Sequence, residues 1–161
     1  MRIAKRIAGC VVILFVLVVA ALWCVEKALD SAFEWSHDEV SRVPSPSHKV
    51  DAVVVETNGG ATTSFGYEVY LTAPGKPYTD GVEVANLYGA VRNSSAYGVN
   101  AKWRGPGRLA IEYLVATNAE ISSARALVGG QAVLVTLKSG VYDPKARSGG
   151  MLYNLRGRPD D

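Results

Sequence analysis

Three hydroxyl side chains in a glycine-rich stretch, Thr62, Thr63 and Ser64, are the residues of this sequence best suited to act as nucleophiles. A hydroxyl attacks efficiently only when a general base, most often histidine, takes its proton and is itself oriented by a third group. The two histidines, His37 and His48, precede the stretch that reads as the body of the domain. The sequence therefore predicts no catalytic triad, and a hydrolase that uses these hydroxyls is kept only as an alternative hypothesis.

Spacing indicates neither paired carboxylates nor a metal site. Two catalytic carboxylates must face each other across a cleft. The acids in the domain body instead stand mostly at outward strand positions: Glu56, Glu68, Asp80, Glu83, Glu112 and Glu120. The trio His37, Asp38 and Glu39 lies in a segment with helical spacing, where neighbouring side chains point about 100° apart. We therefore predict that the protein is not an enzyme and has no metal and no cofactor.

A binding role for the glycine-rich loop is one possibility that the sequence leaves open. The loop contains Gly59, Gly60, Thr62, Thr63 and Ser64. Its backbone N–H groups and hydroxyls could hold an anion, although the same residue types also form ordinary connections between strands.

A basic hairpin is the second candidate for binding. Lys102, Arg104 and Arg108 surround a turn at residues 104–107 that contains two glycines and a proline. These side chains could contact lipid phosphates or an acidic partner, or they could simply be solvated. The glycine-rich loop and the basic hairpin are therefore candidate binding sites rather than candidate catalytic sites.

A long uncharged segment runs from Ile7 to Val25. Its nineteen residues would span roughly 29 Å as a helix, close to the ~30 Å hydrocarbon core of a bilayer. The basic residues of segment 1–6 precede it, and residues 26–30 carry a net charge of −1. This asymmetry predicts a single transmembrane helix over residues 7–25, with the N-terminus in the cytoplasm and the main domain outside the inner membrane. Cleavage after Ala21 and lipidation at Cys10 are the alternatives.

The charges and cysteines limit what the part outside the membrane can do. Residues 31–161 hold thirteen acidic and thirteen basic side chains, so this part is neutral and no binding to nucleic acid is expected. Both cysteines, Cys10 and Cys24, lie in the apolar segment. The domain therefore depends on packing rather than on disulfides for its stability.

The spacing of apolar residues changes near Lys49. Before it, Leu29, Ala32, Phe33 and Val40 follow a helical spacing, and prolines lie at 44 and 46. This pattern predicts a helical stalk that ends in a Pro/Ser hinge, together covering residues 26–47. After it, alternation of period two predicts a small β-rich, mainly antiparallel domain over residues 48–140, with an α+β domain as the alternative. The predicted strands cover 50–56, 67–72, 82–87, 99–103, 109–113 and 133–137. A short helix is favoured over an irregular strand for 118–128, and residues 141–161 are predicted to form a flexible tail.

Three stretches carry a resemblance to a known family. They are SPSHKVDAVVVE, GGATTSFGYEVYL and AKWRGPGRLAIEYL, within residues 45–137. They resemble small bacterial envelope domains, either membrane-anchored or lipoproteins, that have a GATT-type loop after their first strand and no assigned function. The matching positions are Gly60, Ala61, Thr62 and Thr63 in the loop, and Trp103, Leu109, Ile111 and Tyr113 in the hairpin. In that family a cysteine often precedes GATT, whereas Gly59 stands here, so any role of that cysteine does not transfer.

The sequence thus favours a membrane-anchored, non-catalytic binding, accessory or scaffold module of a bacterial envelope. The expected partners are the lipid bilayer, through Ile7 to Val25, and an envelope protein. The alternatives are a secreted inhibitor or immunity-like protein released by cleavage near Ala21, and an envelope hydrolase that uses Thr62, Thr63 or Ser64.

Overall fold

The computed structural model of the protein describes residues 16–26 and 35–147. They belong to two units, divided between Glu34 and Trp35. In the first unit residues 16–26 form a helix, on which Leu17, Leu22 and Trp23 are 60%, 64% and 62% exposed. Among the described residues, no helix is both long enough and apolar enough to cross a bilayer. Residues 7–15 of the predicted span lie outside the described part of the chain.

The described residues of the second unit form β-strands and one short 3-10 helix at Tyr78–Asp80. The strands in chain order are β1 (Ser36–Pro44), β2 (Asp51–Asn58), β3 (Gly66–Thr72), β4 (Val82–Tyr88), β5 (Val91–Asn93), β6 (Ala96–Tyr97), β7 (Asn100–Gly105), β8 (Arg108–Glu112), β9 (Asn118–Glu120), β10 (Arg125–Val128) and β11 (Gln131–Lys138). The front sheet has the order β1-β2-β3-β4-β9, and the back sheet has the order β10-β11-β8-β7. Strands β5 and β6 form a separate two-stranded ribbon.

Strand pairing is antiparallel throughout these sheets except between β8 and β11, which are parallel. The β-rich, mainly antiparallel fold predicted from the alternation is confirmed. One hydrophobic core joins residues of both sheets. Fully buried members include Leu71 and Leu87 of the front sheet and Leu109 and Ile111 of the back sheet. Each such side chain contributes about 1.5–3 kcal/mol through burial, so packing between the sheets holds the domain together.

The predicted helical stalk is wrong over residues 36–42, because these residues belong to strand β1. The strand pairs with β2 from Ser36 opposite Asn58 to Pro44 opposite Asp51. A bulge falls between Glu39 and Ser41, so Val40 is an extra residue that breaks the alternation of period two. A strand interrupted in this way no longer shows the pattern by which strands are recognised, and Val40 instead fits a helical spacing with residues upstream. Residues 27–34 of the predicted stalk lie outside the described residues.

The predicted Pro/Ser hinge is part of a closed turn between β1 and β2. The Ser45 N–H donates to the Val50 carbonyl at 2.7 Å, and the His48 N–H donates to the Ser45 carbonyl at 2.8 Å. The Ser45 hydroxyl also accepts the Lys49 and Val50 N–H groups at 3.3 and 3.2 Å. These bonds fix the chain where the prolines were expected to give it freedom.

Because β1 precedes β2, the GATT-type loop follows the second strand of the domain rather than the first.

The short helix predicted over residues 118–128 is also wrong. Strand β9 pairs with β4 in the front sheet, and β10 pairs with β11 in the back sheet. The turn between β10 and β11 consists of Gly129 and Gly130, with φ values of 56° and 74°. Two consecutive residues with positive φ form the tight turn that matches the twist of a hairpin. Apolar spacings of three and four residues here arise from two short strands and the bend between them.

The predicted flexible tail is wrong for its first residues, 141–143. The Val141 N–H donates to the Tyr113 carbonyl at 3.0 Å, and the Asp143 N–H donates to the Arg92 carbonyl at 2.9 Å. The chain is thereby held against the domain at least to this point. Residues 148–161 lie outside the described part of the chain.

Candidate binding surface

Five cationic side chains lie on the outer face of the back sheet. Successive residues of a strand point to opposite faces, so Leu109, Ile111, Val133 and Val135 enter the core while their neighbours point outward. The outward cations are Lys102, Arg104, Arg108, Arg125 and Lys138, and all five are exposed. We call this surface the basic face. The four strands of the sheet contain a single acidic residue, Glu112, which also points outward.

Glu112 is the centre of an ion cluster on the basic face. Its side chain is 2% exposed, and its carboxylate contacts the Arg104 guanidinium. Lys102 Nζ lies 3.4 Å from Oε2, and Lys138 Nζ lies 3.6 Å from Oε1. Strand β8 lies between β7 and β11, with Asn100 and Lys138 directly opposite Glu112. The register therefore brings cations from both neighbouring strands onto one carboxylate.

The cluster keeps Glu112 ionised. Burial by itself would raise the pKa of the Glu112 carboxyl, but hydrogen bonds from Arg104 and Lys102 outweigh that effect and hold the pKa below its ordinary value. One negative charge is thus shared by three cations, and the cluster has a net charge of +2. An approaching anion therefore finds three cationic side chains whose positions are already fixed by Glu112.

The other half of the basic face combines cations with exposed apolar side chains. Leu134 lies opposite Arg108 on one side and Arg125 on the other. Leu134 is 42% exposed and Leu127 is 71% exposed. Among the described residues, neither Arg108 nor Arg125 has a carboxylate within 4.0 Å. Exposed leucines beside guanidinium groups resemble the centre of protein interfaces, where apolar and Arg side chains are enriched.

The structure brings together part of the predicted basic hairpin. Lys102 and Arg104 meet at Glu112, whereas Arg108 lies beside the turn and faces Leu134. Sequence reasoning missed Lys138 and Arg125, because they come from strands that follow the hairpin by more than ten residues. The alternation of residues 132–138 would place Lys138 outward, but only the parallel pairing of β8 with β11 puts it beside Glu112.

Four donors of the predicted anion-binding loop are hydrogen-bonded within the loop or to its neighbours. The Gly60 N–H donates to Asn58 Oδ1 at 2.8 Å, and the Ser64 N–H donates to Tyr88 Oη at 2.9 Å. Both the N–H and the hydroxyl of Thr63 donate to the Gly60 carbonyl, at 3.2 and 3.1 Å. Several donors that an anion would need are therefore occupied, and the loop is built as a connection between strands.

Gly59, the first residue of this loop, packs against an indole ring. A Cβ atom at Gly59 would come within 2.8 Å of the Trp35 ring. A side chain there would require the indole to move, which gives a physical reason for glycine at this position. Thr62 is exposed.

The outer face of the front sheet has the opposite charge. It carries one cation, Arg42, and five acids: Glu39, Asp51, Glu68, Glu83 and Glu120. The neutrality of the domain is therefore the sum of two oppositely charged faces. A count of charges along the sequence does not reveal this separation, because it depends on which face each strand residue points to.

Sites for other chemistry do not emerge from the described residues. No three His, Cys, Asp or Glu side chains among them are grouped so that they could hold a metal. His37 Nδ1 lies 3.1 Å from the Trp35 carbonyl oxygen, and His48 lies in the turn before β2. Comparison of the chain with protein-family models, curated proteins and solved structures gives no match. What the chain binds must therefore be inferred from its own surfaces.

Proposed function

We propose that the protein is a non-catalytic binding module, anchored in the inner membrane of a bacterial envelope, that docks an acidic protein partner on the basic face. The observation that carries this proposal is the concentration of five cations on the outer face of a single sheet, three of them around one buried carboxylate. Such a surface attracts an acidic partner from a distance and accelerates its encounter at low salt.

The exposed leucines favour a protein over a simple polyanion as the partner. A polyanion would be held by charge alone, whereas Leu127 and Leu134 offer apolar area that only a partly apolar surface can cover. The arginines beside them can form bidentate bonds with carboxylates. The partner surface is therefore expected to combine aspartate or glutamate side chains with an apolar centre.

Anchoring is supported by the uncharged run from Ile7 to Val25 and by the basic residues before it. The mature N-terminus tests this part of the proposal. Sequencing of the protein isolated from bacterial membranes should find Met1 or Arg2 at the terminus. A terminus at Leu22 would refute the anchor and support the secreted alternative.

Site-specific photo-crosslinking in intact membranes tests the partner. A photoreactive residue at Thr136, which is exposed at the centre of the basic face, should give one dominant protein adduct. The same residue at Asn86, exposed on the outer face of the front sheet, is the matched control and should not give that adduct. No dominant adduct at Thr136, or an adduct with lipid alone, would contradict docking of a protein.

Charge reversal then tests whether the cations of the basic face bind the partner. Arg108→Glu with Arg125→Glu leaves the cluster at Glu112 intact and should reduce the yield of the adduct at least about tenfold at low salt. Lys49→Glu with Lys76→Glu changes the net charge equally at exposed positions outside the basic face. Equal losses in the two double variants would point to net charge rather than to this surface.

A further inference from the structure

A cleft of about 310 Å³ opens between strands β1 and β7, the edge strands of the front and back sheets. Trp103 Nε1 donates to the Val43 carbonyl at 2.9 Å and ties the two edges together beside the cleft. We call this opening the edge cleft. Its volume is at the lower end of the range for small-molecule sites, which are commonly about 300–1,000 Å³.

Aliphatic side chains line part of the edge cleft. They are Val40 and Val54 from the front sheet, Ala101 from the back sheet and Val99, which directly precedes strand β7. Val40 is the extra residue of the β1 bulge, and bulges commonly redirect a side chain beside a binding site. A branched hydrocarbon chain of a few carbons would find dispersion contacts on both sheets here.

Arg92 is the cation that faces the edge cleft without an ion pair. Its Nε donates to the Tyr97 carbonyl at 3.2 Å, and its Nη1 approaches Asn100 Oδ1 at 3.4 Å. Among the described residues no carboxylate lies within 4.0 Å of its guanidinium. Gly98, with φ of 125°, makes room for the group, because a Cβ atom there would lie 2.7 Å from Arg92 Nε. The guanidinium is therefore positioned while retaining donors for a ligand.

Two other charged groups face the edge cleft, and both already have partners. Lys102 Nζ lies 3.4 Å from the Glu112 carboxylate. Asp143 accepts the Asn100 side-chain amide at 3.0 Å and the Lys145 N–H at 3.0 Å. Together with Arg92 these groups give the lining a net charge of +1. A ligand with one negative charge matches this balance better than a dianion does.

We propose that the edge cleft binds a small monocarboxylate with a branched aliphatic chain. The carboxylate pairs with the Arg92 guanidinium, and the chain lies on the valine side chains. Such a group occurs in short branched-chain fatty acids and at the C-terminus of peptides ending in valine or leucine. This site lies at the sheet edges and requires neither Arg108 nor Arg125 of the basic face, although Lys102 borders both surfaces.

The test uses the full chain in lipid nanodiscs with methyl-labelled valine, observed by NMR. The probe is 4-methylpentanoate, which should cause saturable shifts of the Val40, Val54 and Val99 methyl signals. Its uncharged amide and acetate, which lacks the branched chain, should each bind at least about tenfold more weakly. A peptide ending in Leu with a free carboxylate distinguishes the two sources: tighter binding than 4-methylpentanoate assigns a peptide terminus, and weaker binding assigns the free acid.

Variants test whether Arg92 binds the carboxylate of the ligand. Arg92→Gln should weaken binding of 4-methylpentanoate at least about tenfold, the scale expected for loss of a charge-assisted hydrogen bond. Arg125→Gln, an exposed arginine on the basic face, is the matched control and should bind as the parent does. If Arg92→Gln fails to fold, Ser41→Asp places a negative charge at the cleft with Arg92 intact and should also abolish binding. No saturable shift, equal binding of the amide, or full binding by these cleft variants would overturn the proposal.

Discussion

Replacing Arg42 by methionine is expected to lower the free energy of unfolding by about 3–5 kcal/mol, the cost of breaking a buried ion pair. The guanidinium binds both oxygens of Glu39, at 2.7 and 2.9 Å, and reaches Asp51 at 3.1 Å. Glu39 and Asp51 are 4% and 6% exposed, so their charges are largely removed from water. Methionine keeps an unbranched apolar side chain at this position but leaves both carboxylates without their shared cation.

The position of Arg42 explains why water cannot easily replace it. Hydrogen bonding to Glu39 is the main reason that the pKa of the Arg42 guanidinium is raised, although burial opposes it. Val53, opposite Arg42 in β2, and Val55, opposite Glu39, are fully buried on what is formally the outer face of the front sheet. The ion cluster therefore helps to cover apolar surface, and its loss would expose that surface as well as two charges.

Urea unfolding of the full chain at neutral pH, followed by circular dichroism, measures the effect. Arg125→Met, at an exposed arginine without an ion pair among the described residues, is the matched control and should change stability by less than about 0.5 kcal/mol. Replacing Glu39 and Asp51 by leucine together with Arg42→Met should recover part of the loss, because no buried carboxylate then remains at these two positions. If the free energy of unfolding of Arg42→Met alone lies within about 1 kcal/mol of the parent value, the two carboxylates are readily hydrated without Arg42.

The sequence predicted best those strands that combine regular alternation with burial. Strand β3 alternates without interruption, and strand β11 alternates in burial although Leu134 on its outward face is apolar; each was expected within two residues of its observed bounds. Strand β2 was predicted from its run of β-branched residues, and the structure buries this run on both faces. These features depend on local sequence, so they can be detected without knowing which strands are neighbours.

The remaining elements depend on contacts that are distant in sequence. Strand β1 was predicted as helix because the bulge at Val40 interrupts its alternation, and the ion cluster of Arg42 was missed along with it. Strands β9 and β10 have three and four residues, too few for a period to be recognised. On the basic face, Lys102 and Arg104 could be predicted from one hairpin, whereas Lys138 arrives through a parallel pairing that local pattern does not encode. Arg92 gave no signal because its environment comes from the ribbon, strand β7 and the C-terminal segment.

Glu112→Gln is expected to lower the free energy of unfolding by about 2 kcal/mol at pH 7, less than the full cost of a broken buried ion pair. The reduction reflects the exposure of its partners: Lys102, Arg104 and Lys138 are 51%, 52% and 60% exposed and can turn toward water. Glutamine preserves the shape of the side chain, so the loss reports the charge. Glu120→Gln, at an exposed acid of the front sheet, is the matched control and should have little effect.

The effect of Glu112→Gln should depend on pH in a defined direction. The folded pKa of Glu112 lies below its ordinary value of 4.5, so its contribution to stability is fully present above about pH 4.5 and is lost as the pH falls through the folded pKa. Parent and variant should therefore converge in urea unfolding experiments on acidification. A difference that stays constant from neutral to acidic pH would assign the effect to packing instead.

The Glu112→Gln variant also releases three cations from their shared carboxylate, so it should bind an acidic partner more strongly while folding less stably. Lower stability together with a higher yield of the crosslink at Thr136 would show that Glu112 stabilises the fold while weakening the binding of the partner.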